Sequence, residues 1–552
     1  MTKQSTPRLQ SFSSNQKLKI KLNQFGTDWP SKDLLLFHKK LFKEYWPTKS
    51  IPISKNTSSV IPSYPIYNSK SRDYNWDIDT TRHLLSRTMI GATFDDINTC
   101  LSLGMGNSVQ SLLEDQEIPL PPGDWVYEEI PNWGDLTTQE RNQIIQSYHN
   151  RMKSFRVWWR ERMMSNTINI SEIMTLFWHN YFASAFSKVF YPQAMYQQHN
   201  IFRTYCLGNF KDLLRQVTFG PAMMIWLDIN GSRKHAPNEN FARELMELFT
   251  LGVDNYSQED VVAASMAFTG YVTDGMETNY DYEEMVGWGY WWTDWHDFNE
   301  KTFLGETGSW TGDDIINIIL EQDTCARHIC RRIYKWFIYE NVNEPFIEEM
   351  ATILRSNNYE IKPMMEFLLT SNHFFNPVFR GSNIQNPNTL LLGSIRRLGM
   401  QNQNYPNQFF DRADYNMGMV MFEPPDVNGW LGYRSWINSN TLPIRKATIC
   451  SLITGQSPFG DYGSYINVRD IAQSLYNSDS MELPCVQVVQ NLALLFFGTP
   501  LTDSLEERML LILLDGAEPY DWNINLPVWN AQWNRMKDLL KYIIRIPEFQ
   551  LS

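Results

Sequence analysis

The sequence predicts a mainly α-helical protein, a large multi-helix domain with one small β element. Segments with apolar residues three and four positions apart recur from Trp76 to the C-terminus, whereas alternating strand patterns are few. The chain has 552 residues, of which 43% are hydrophobic, enough for a large core. Helical chains of this size can share one core, so we expect residues 76–552 to form a single domain.

The first 75 residues differ from the rest and are predicted to be an N-terminal extension or arm. They are polar, with prolines at Pro47, Pro52, Pro62 and Pro65, and contain one predicted helix, from Asp33 to Trp46.

Helix starts in the following domain are marked by residues that satisfy free backbone amides. Ser171 is the predicted N-cap of "SEIMTLFWHNYF", and Pro221 is predicted to open the helix of "PAMMIWLD". Ser257, followed by two acidic residues, predicts another start. Helical patterns resume at residue 313 and continue to the C-terminus.

The stretch from Tyr271 to Gly312 lacks helical spacing. It contains five tryptophans from Trp288 to Trp310, and Gly287 and Gly289 flank the first of them. We expect a short hairpin or a long loop here.

Composition limits the functional classes. The net charge is −13 without a long basic run, which argues against nucleic acid as a partner. The six cysteines are scattered and form no CxxC pair, so we expect buried free thiols.

We see no signal peptide and no apolar run long enough for a transmembrane segment, which favours a soluble, cytoplasmic chain. The 14% aromatic content fits core packing or a sugar-binding cleft.

One segment, "HAPNENFARELMELFTLG", combines a helix pattern with many polar groups. Asn238 is the predicted N-cap, Glu239 and Arg243 are spaced for an ion pair, and Gly252 is the predicted C-terminal glycine. The predicted apolar face consists of Phe241, Ala242, Leu245, Met246, Leu248 and Phe249.

The opposite stripe of this helix carries Asn240, Glu244 and Glu247. The segment is therefore either a capped structural helix or one wall of a polar site. Two carboxylates supply an acid and a base where their environments differ, or they bind a metal ion.

Two histidines are candidates to complete such a site. His179, in "FWHNYF", lies among aromatic residues and is either a buried, hydrogen-bonded histidine or a ligand or proton shuttle. His296, in the Trp-rich stretch, is the candidate from a loop. Signature motifs that would name a reaction are absent.

The sequence resembles the domain-of-unknown-function 1800 family over residues 76–552. The resemblance is carried, in this order, by "RHLLSRTMIGATFDDI", "FWHNYF", "LGNFKDLL", "PAMMIWLD", "PNENFARELMELFTLGV", "AFTGY", "HDFNEKTFLG", "FEPPDVNGWLGYRSWI" and "PEFQL". It implies a helical bacterial protein, often exported and often encoded beside a sulfatase- or phosphatase-like hydrolase. It implies no established activity. The chain departs from the family at two positions. Many members have histidine where Tyr181 stands, and some have histidine at the position of Phe249.

These observations lead to two hypotheses. In the first, the chain is a hydrolase-type enzyme acting on a polymer or polysaccharide. Glu244 is then the general base or metal ligand, Glu247 the second carboxylate and His179 a ligand or proton shuttle. One divalent metal ion would be held by His179 and Glu244. The candidate binding residues are Asn238, Asn240, Arg243, His296, Asp426 and Trp430.

In the second hypothesis, the chain is a non-catalytic partner or scaffold of the neighbouring hydrolase. The missing catalytic motif and Tyr181 in place of a histidine favour it. A redox role is disfavoured because no Glu-x-x-His pair of the di-iron type occurs at these positions.

Overall fold

The computed structural model describes residues 75–552 apart from 132, 166, 274–289, 292, 404, 459, 462–470, 472–483 and 523–530. The predicted N-terminal extension, except its last residue, and the helix predicted within it lie outside the described residues. The boundary at residue 75 therefore stays a prediction.

The protein is mainly α-helical, as predicted, with 21 α-helices in the described part of the chain. The first half contains α1 Ile78–Thr88, α2 Phe94–Leu103, α3 Met105–Leu112, α4 Thr138–Ser165, α5 Ser171–Tyr181, α6 Phe186–Val189, α7 Pro192–Thr204, α8 Phe210–Thr218, α9 Pro221–Trp226, α10 Glu239–Glu244 and α11 Gln258–Ala267. The second half contains α12 Gly312–Glu321, α13 Asp323–Phe337, α14 Glu344–Ser356, α15 Ile361–Thr370, α16 Pro387–Arg397, α17 Asn407–Met417, α18 Thr441–Thr454, α19 Cys485–Phe496, α20 Asp503–Leu514 and α21 Ala531–Arg545.

The β structure consists of short antiparallel pairs. In the Trp-rich region, β1 (Tyr271–Val272) pairs with β2 (Tyr290–Trp291), and β3 (Lys301–Phe303) pairs with β4 (Glu306–Gly308). This confirms the small β element predicted there. A further pair joins β5 (Gln456–Ser457) to β6 (Gly460–Asp461).

Local sequence explains most helix starts. Ser257 and Asp260 form a capping box at α11, as predicted, and Pro221 is the first residue of α9. The predicted cap at Ser171 is wrong. Ser171 is already helical, and its backbone amide donates to Asn169 Oδ1 at 2.7 Å. A short amide side chain two residues upstream reaches the free amide first.

Helix α5 lies at the centre of the fold. All eleven of its residues are buried, so it has no solvent face and is not an amphipathic helix. Its one carboxylate, Glu172, forms a two-pronged ion pair with Arg203 of α7, with N–O distances of 2.7 and 2.9 Å. Trp159 of α4 donates to the same carboxylate at 3.0 Å. The buried charge is thereby compensated.

The core is continuous over the described residues. Buried apolar side chains form one cluster that extends from Leu84 in α1 to Phe549 near the C-terminus. Polar residues next to α5 are therefore held by rigid neighbours on several sides.

Candidate functional site

The segment around α10 forms the predicted capped helix. Asn238 Oδ1 accepts from the amide of Asn240 at 2.9 Å, and Arg243 pairs with Glu239 at 3.1 Å. Gln258 of α11 bonds to both members of that pair, at 2.9 Å each. These contacts are partly exposed and hold α10 against α11.

The helix widens into one π-helical segment, Leu245–Thr250, before it ends. The wider turn frees backbone carbonyls, and side chains from other helices bond to two of them. Tyr181 donates its hydroxyl to Phe249 O at 2.8 Å, and His328 Nε2 donates to Leu248 O at 2.8 Å. Gly252 follows with φ of 82°, as predicted for the C-terminal glycine. The π segment thus depends on tertiary partners.

The two predicted catalytic carboxylates, Glu244 and Glu247, lie on the half-buried side of this helix, as the spacing predicted. Burial, and then the charge of Glu247, raise the pKa of Glu244 above its usual value. Asp426, from a distant loop, also raises the pKa of Glu244, whereas Arg243 lowers it. Tyr256 donates its hydroxyl to Glu247 Oε2 at 2.7 Å. Glu244 is therefore coupled electrostatically to two other predicted residues, Glu247 and Asp426, and we call these three the acidic cluster.

His179 lies in the core. Its Nε2 accepts from the backbone amide of Phe422 at 3.1 Å, and its ring contacts Trp159, Phe422 and Trp430. Burial lowers its pKa to about 3, so the ring is neutral. No hydrogen bond or ion pair within the described residues joins His179 to Glu244 or to Glu247.

His296 is also buried, in a separate arrangement. Its Nδ1 donates to Thr269 O at 2.9 Å, and the neighbouring amide of Asp297 donates to Thr269 Oγ1 at 2.9 Å. Lys301 donates to the backbone oxygen of Asn299 at 2.8 Å. These bonds join the "HDFNEK" and "AFTGY" motifs into one structural unit.

Within the described ranges, no three His, Cys, Asp or Glu side chains lie together in a group that could hold a metal ion. The predicted divalent metal ion at His179 and Glu244 stays a prediction.

The loop "PPDVNGW" links the acidic cluster to α5. Asp426 Oδ1 accepts from the amide of Asn428 at 2.8 Å, and the amide of Trp430 donates to Asn180 Oδ1 at 2.7 Å. Gly429 has φ of 71°, and a Cβ atom there would lie 2.3 Å from Asn180 O. Only glycine allows this close approach between the loop and the end of α5.

Trp430 and Asn428 line a cleft between α1, α5, α13 and α16, with a volume of about 300 Å³, which we call the polar cleft. Its amide side chains are Asn180, Asn383, Gln385, Asn386 and Asn428. Its aromatic side chains are Phe177, Trp336, Trp430, Tyr433 and Trp436. Its charged side chains are Arg87, Arg332, Lys335, Arg397 and Glu340. The volume is at the lower end of the range for small-ligand sites, roughly 300–1,000 Å³.

The charged residues of the polar cleft were not among the residues predicted from the sequence. Arg87 follows Leu84 by three residues on α1, and Arg397 ends a helix whose residues are almost all buried. An arginine on an apolar helix face was the available signal, since buried arginines are rare without a partner. Of the predicted binding residues, Trp430 lines the cleft, whereas Asn238, Asn240, Arg243, His296 and Asp426 do not.

A larger hollow, of about 960 Å³, runs along α4 between Thr138 and Ser154. All its lining residues come from this one helix, so it is an open helix surface without opposing walls.

Comparison with known proteins identifies one relationship. Residues 83–551 match the model of a family described as "Protein of unknown function (DUF1800)". No curated protein and no solved structure matches the chain. No helix in the described part of the chain is long and apolar enough to cross a membrane.

Proposed function

Because the chain belongs to the DUF1800 family, whose function is unknown, we propose a function on the basis of the chemistry of the polar cleft. We propose that the polar cleft binds a short segment of a hydroxyl-rich polymer. A polysaccharide is the simplest polymer of this kind. The observation that carries the proposal is the combination of five amide side chains with several aromatic rings around one cleft of about 300 Å³.

Sugar hydroxyls both donate and accept hydrogen bonds, and the amide group offers both functions on one side chain. The aromatic rings supply flat apolar surface for the C–H faces of a sugar. Trp336 and Tyr433 are half-buried, so part of each remains accessible, whereas Trp430 and Trp436 are buried and form the rigid floor.

Affinity electrophoresis in gels containing single soluble polysaccharides tests this proposal. We expect one or more polymers to retard the protein, and Tyr433→Ala to remove most of the retardation. Tyr520→Ala is the matched control, because Tyr520 is 83% exposed and lies outside the cleft. No retardation by any polymer, or equal retardation of both variants, would contradict binding in the polar cleft.

A second candidate function is hydrolysis of the bound polymer, and the raised pKa of Glu244 favours it. A carboxyl group that keeps its proton to higher pH can act as a general acid beside an ionised neighbour. Asp426 of the acidic cluster is two residues, about 7 Å of chain, from Asn428 of the polar cleft. The cluster is therefore close enough to serve a polymer that extends beyond the cleft.

Release of reducing ends from the retarding polymer measures hydrolysis. We expect Glu244→Gln to lower the rate roughly a hundredfold or more, and exposed Glu259→Gln to leave it unchanged. Binding without hydrolysis by the wild type would leave only the binding role.

Metal analysis of the wild type beside the Glu244→Gln, Glu247→Gln double variant tests the predicted divalent ion.

The alternative, a non-catalytic partner of a neighbouring sulfatase- or phosphatase-like hydrolase, predicts a different result. The two proteins would co-purify after co-expression, and Tyr433→Ala would not weaken their association.

A further inference from the structure

We infer that the polar cleft selects a polyanionic ligand, a polysaccharide segment that carries carboxylate, sulfate or phosphate groups. The polymer part of this inference rests on the proposed function. The preference for anionic groups rests on the arginines of the cleft and can be tested separately.

Arg87 is the first of these arginines. Its side chain is buried, and only Nη2 has partners, Phe379 O at 2.7 Å and Ser382 Oγ at 3.0 Å. Both Nε and Nη1 lack a hydrogen-bond partner among the described residues. Burial without a compensating carboxylate lowers the pKa of Arg87 to about 9. Two donor nitrogens of a buried cation in the wall of the cleft thus lack a partner among the described residues.

Arg397 is the second. It is 9% exposed, and its Nη1 also has no hydrogen-bond partner in the part of the chain that is described. Burial, followed by the positive charges of Arg396 and Arg82, lowers its pKa to about 10. Every charge that perturbs this guanidinium is therefore positive. An anion in the cleft would reverse that imbalance.

The side-chain charges of the cleft are strongly unequal. Four described lining residues have cationic side chains, Arg87, Arg332, Lys335 and Arg397, and one, Glu340, has an anionic side chain. The α-carboxylate of Ser552, the last residue of the sequence, adds a second negative charge to the lining. Lys335 already pairs with Glu340 at 2.9 Å. Three arginine side chains therefore remain without an ion-pair partner in the described residues, on a chain whose net charge is −13. Acidic groups elsewhere are screened beyond about 8 Å at physiological ionic strength, so the local charge decides.

The arginines come from three different helices. Arg87 belongs to α1, Arg332 to α13 and Arg397 to α16, and all three line the polar cleft. An extended ligand with several anionic groups can pair with more than one of these guanidinium groups at once, which favours a polyanion over one free phosphate or sulfate.

The wild-type test compares one polymer with and without its charges. Isothermal titration calorimetry at low ionic strength would use oligogalacturonate, its methyl ester and inorganic sulfate. We expect the charged oligomer to bind at least tenfold more tightly than its ester, sulfate to bind weakly, and added salt to reduce the difference. Equal binding of both oligomers would overturn the inference.

Variants identify the residues responsible. Arg397→Gln and Arg332→Gln should each weaken the charged oligomer roughly tenfold or more, the effect of one charge-assisted hydrogen bond. Binding of the methyl ester should change little. The matched control is Arg508→Gln on the exposed side of α20. Arg332 is half-buried, so its variant keeps the test available if Arg397→Gln does not fold.

The outcomes separate the two proposals. Binding of neutral and charged oligomers without preference keeps the polymer-binding role and overturns the anion inference. Binding of sulfate that needs Arg397, without retardation by any polymer, overturns the polymer role and leaves an anion site for another ligand. Unchanged affinity of both arginine variants for the charged oligomer overturns the assignment to the cleft.

Discussion

At the scale of single residues, α5 buries an acidic and a basic side chain in different ways. Arg203 and Trp159 bond to the carboxylate of Glu172. Burial lowers the pKa of His179 to about 3, so its ring is neutral and its Nε2 accepts the Phe422 amide. The first arrangement depends on an ion pair, and the second on the absence of a proton.

His179 makes stability depend on pH. The unfolded imidazole binds a proton below about pH 6.5, whereas the folded ring does so only near pH 3. Its contribution to stability is therefore complete above pH 6.5 and is lost as the pH falls towards 3, by about 1.4 kcal/mol per pH unit. Chemical unfolding between pH 7 and 4.5 should show a smaller slope for His179→Gln than for the wild type. Identical slopes would contradict this account.

Glu172→Gln should strongly destabilise the fold, because Arg203 would be left as a buried cation without a counterion. The expected loss is about 3–5 kcal/mol of unfolding free energy, measured by guanidinium unfolding. A Glu172→Met, Arg203→Met double variant should lose less than the two single changes added together. Additive losses would show that the pair does not act as a unit.

At the scale of elements, the end of the α10 segment and the loop from Pro424 to Trp430 have unusual backbones that other elements stabilise. The π segment relies on Tyr181 and His328 for its free carbonyls. Tyr181 and Phe249 meet in one of these bonds, between the Tyr181 hydroxyl and the Phe249 carbonyl oxygen. The loop relies on Asn180, which accepts the Trp430 amide.

Gly429→Ala tests the fit of this loop against α5. The added Cβ would lie 2.3 Å from Asn180 O at a left-handed backbone position, so the loop must move. We expect a cost of about 1–3 kcal/mol and loss of polymer binding, because Asn428 and Trp430 move with the loop. Gly516→Ala, also left-handed but with no atom near its Cβ, is the control for backbone strain alone. Equal effects of the two changes would contradict the proposed close approach.

At the scale of the whole molecule, one apolar cluster links helices along the described chain, and all six cysteines lie buried as free thiols, as predicted. Burial raises the pKa of Cys206 to about 11 and that of Cys325 to about 12, which suppresses the reactive thiolate. The thiols therefore report on opening of the core.

Thiol titration with a chromogenic disulfide measures this directly. The native protein should react slowly, and the protein in guanidinium should release six equivalents at once. Reductant should leave the unfolding midpoint unchanged, since no disulfide contributes to the fold. Rapid reaction of one cysteine in the native state would reveal a locally open region.

The sequence by itself determined the helical class, several helix starts and the order of groups along α10. Asn238, Arg243 and Gly252 each have a bonding partner within six residues along the chain, so spacing alone predicts their roles. The same holds for the carboxylate stripe of Glu244 and Glu247, because one helix sets their relative positions.

The tertiary structure alone decided which polar groups share a site. It buried α5 on every side, turned His179 towards Phe422 and coupled Asp426 electrostatically to Glu244. It also gathered Arg87, Arg332 and Arg397 from three helices around one cleft. Periodicity describes neighbours within a turn or two, whereas these groups come from positions up to 310 residues apart in the sequence, and only packing of the whole core places them around one cleft.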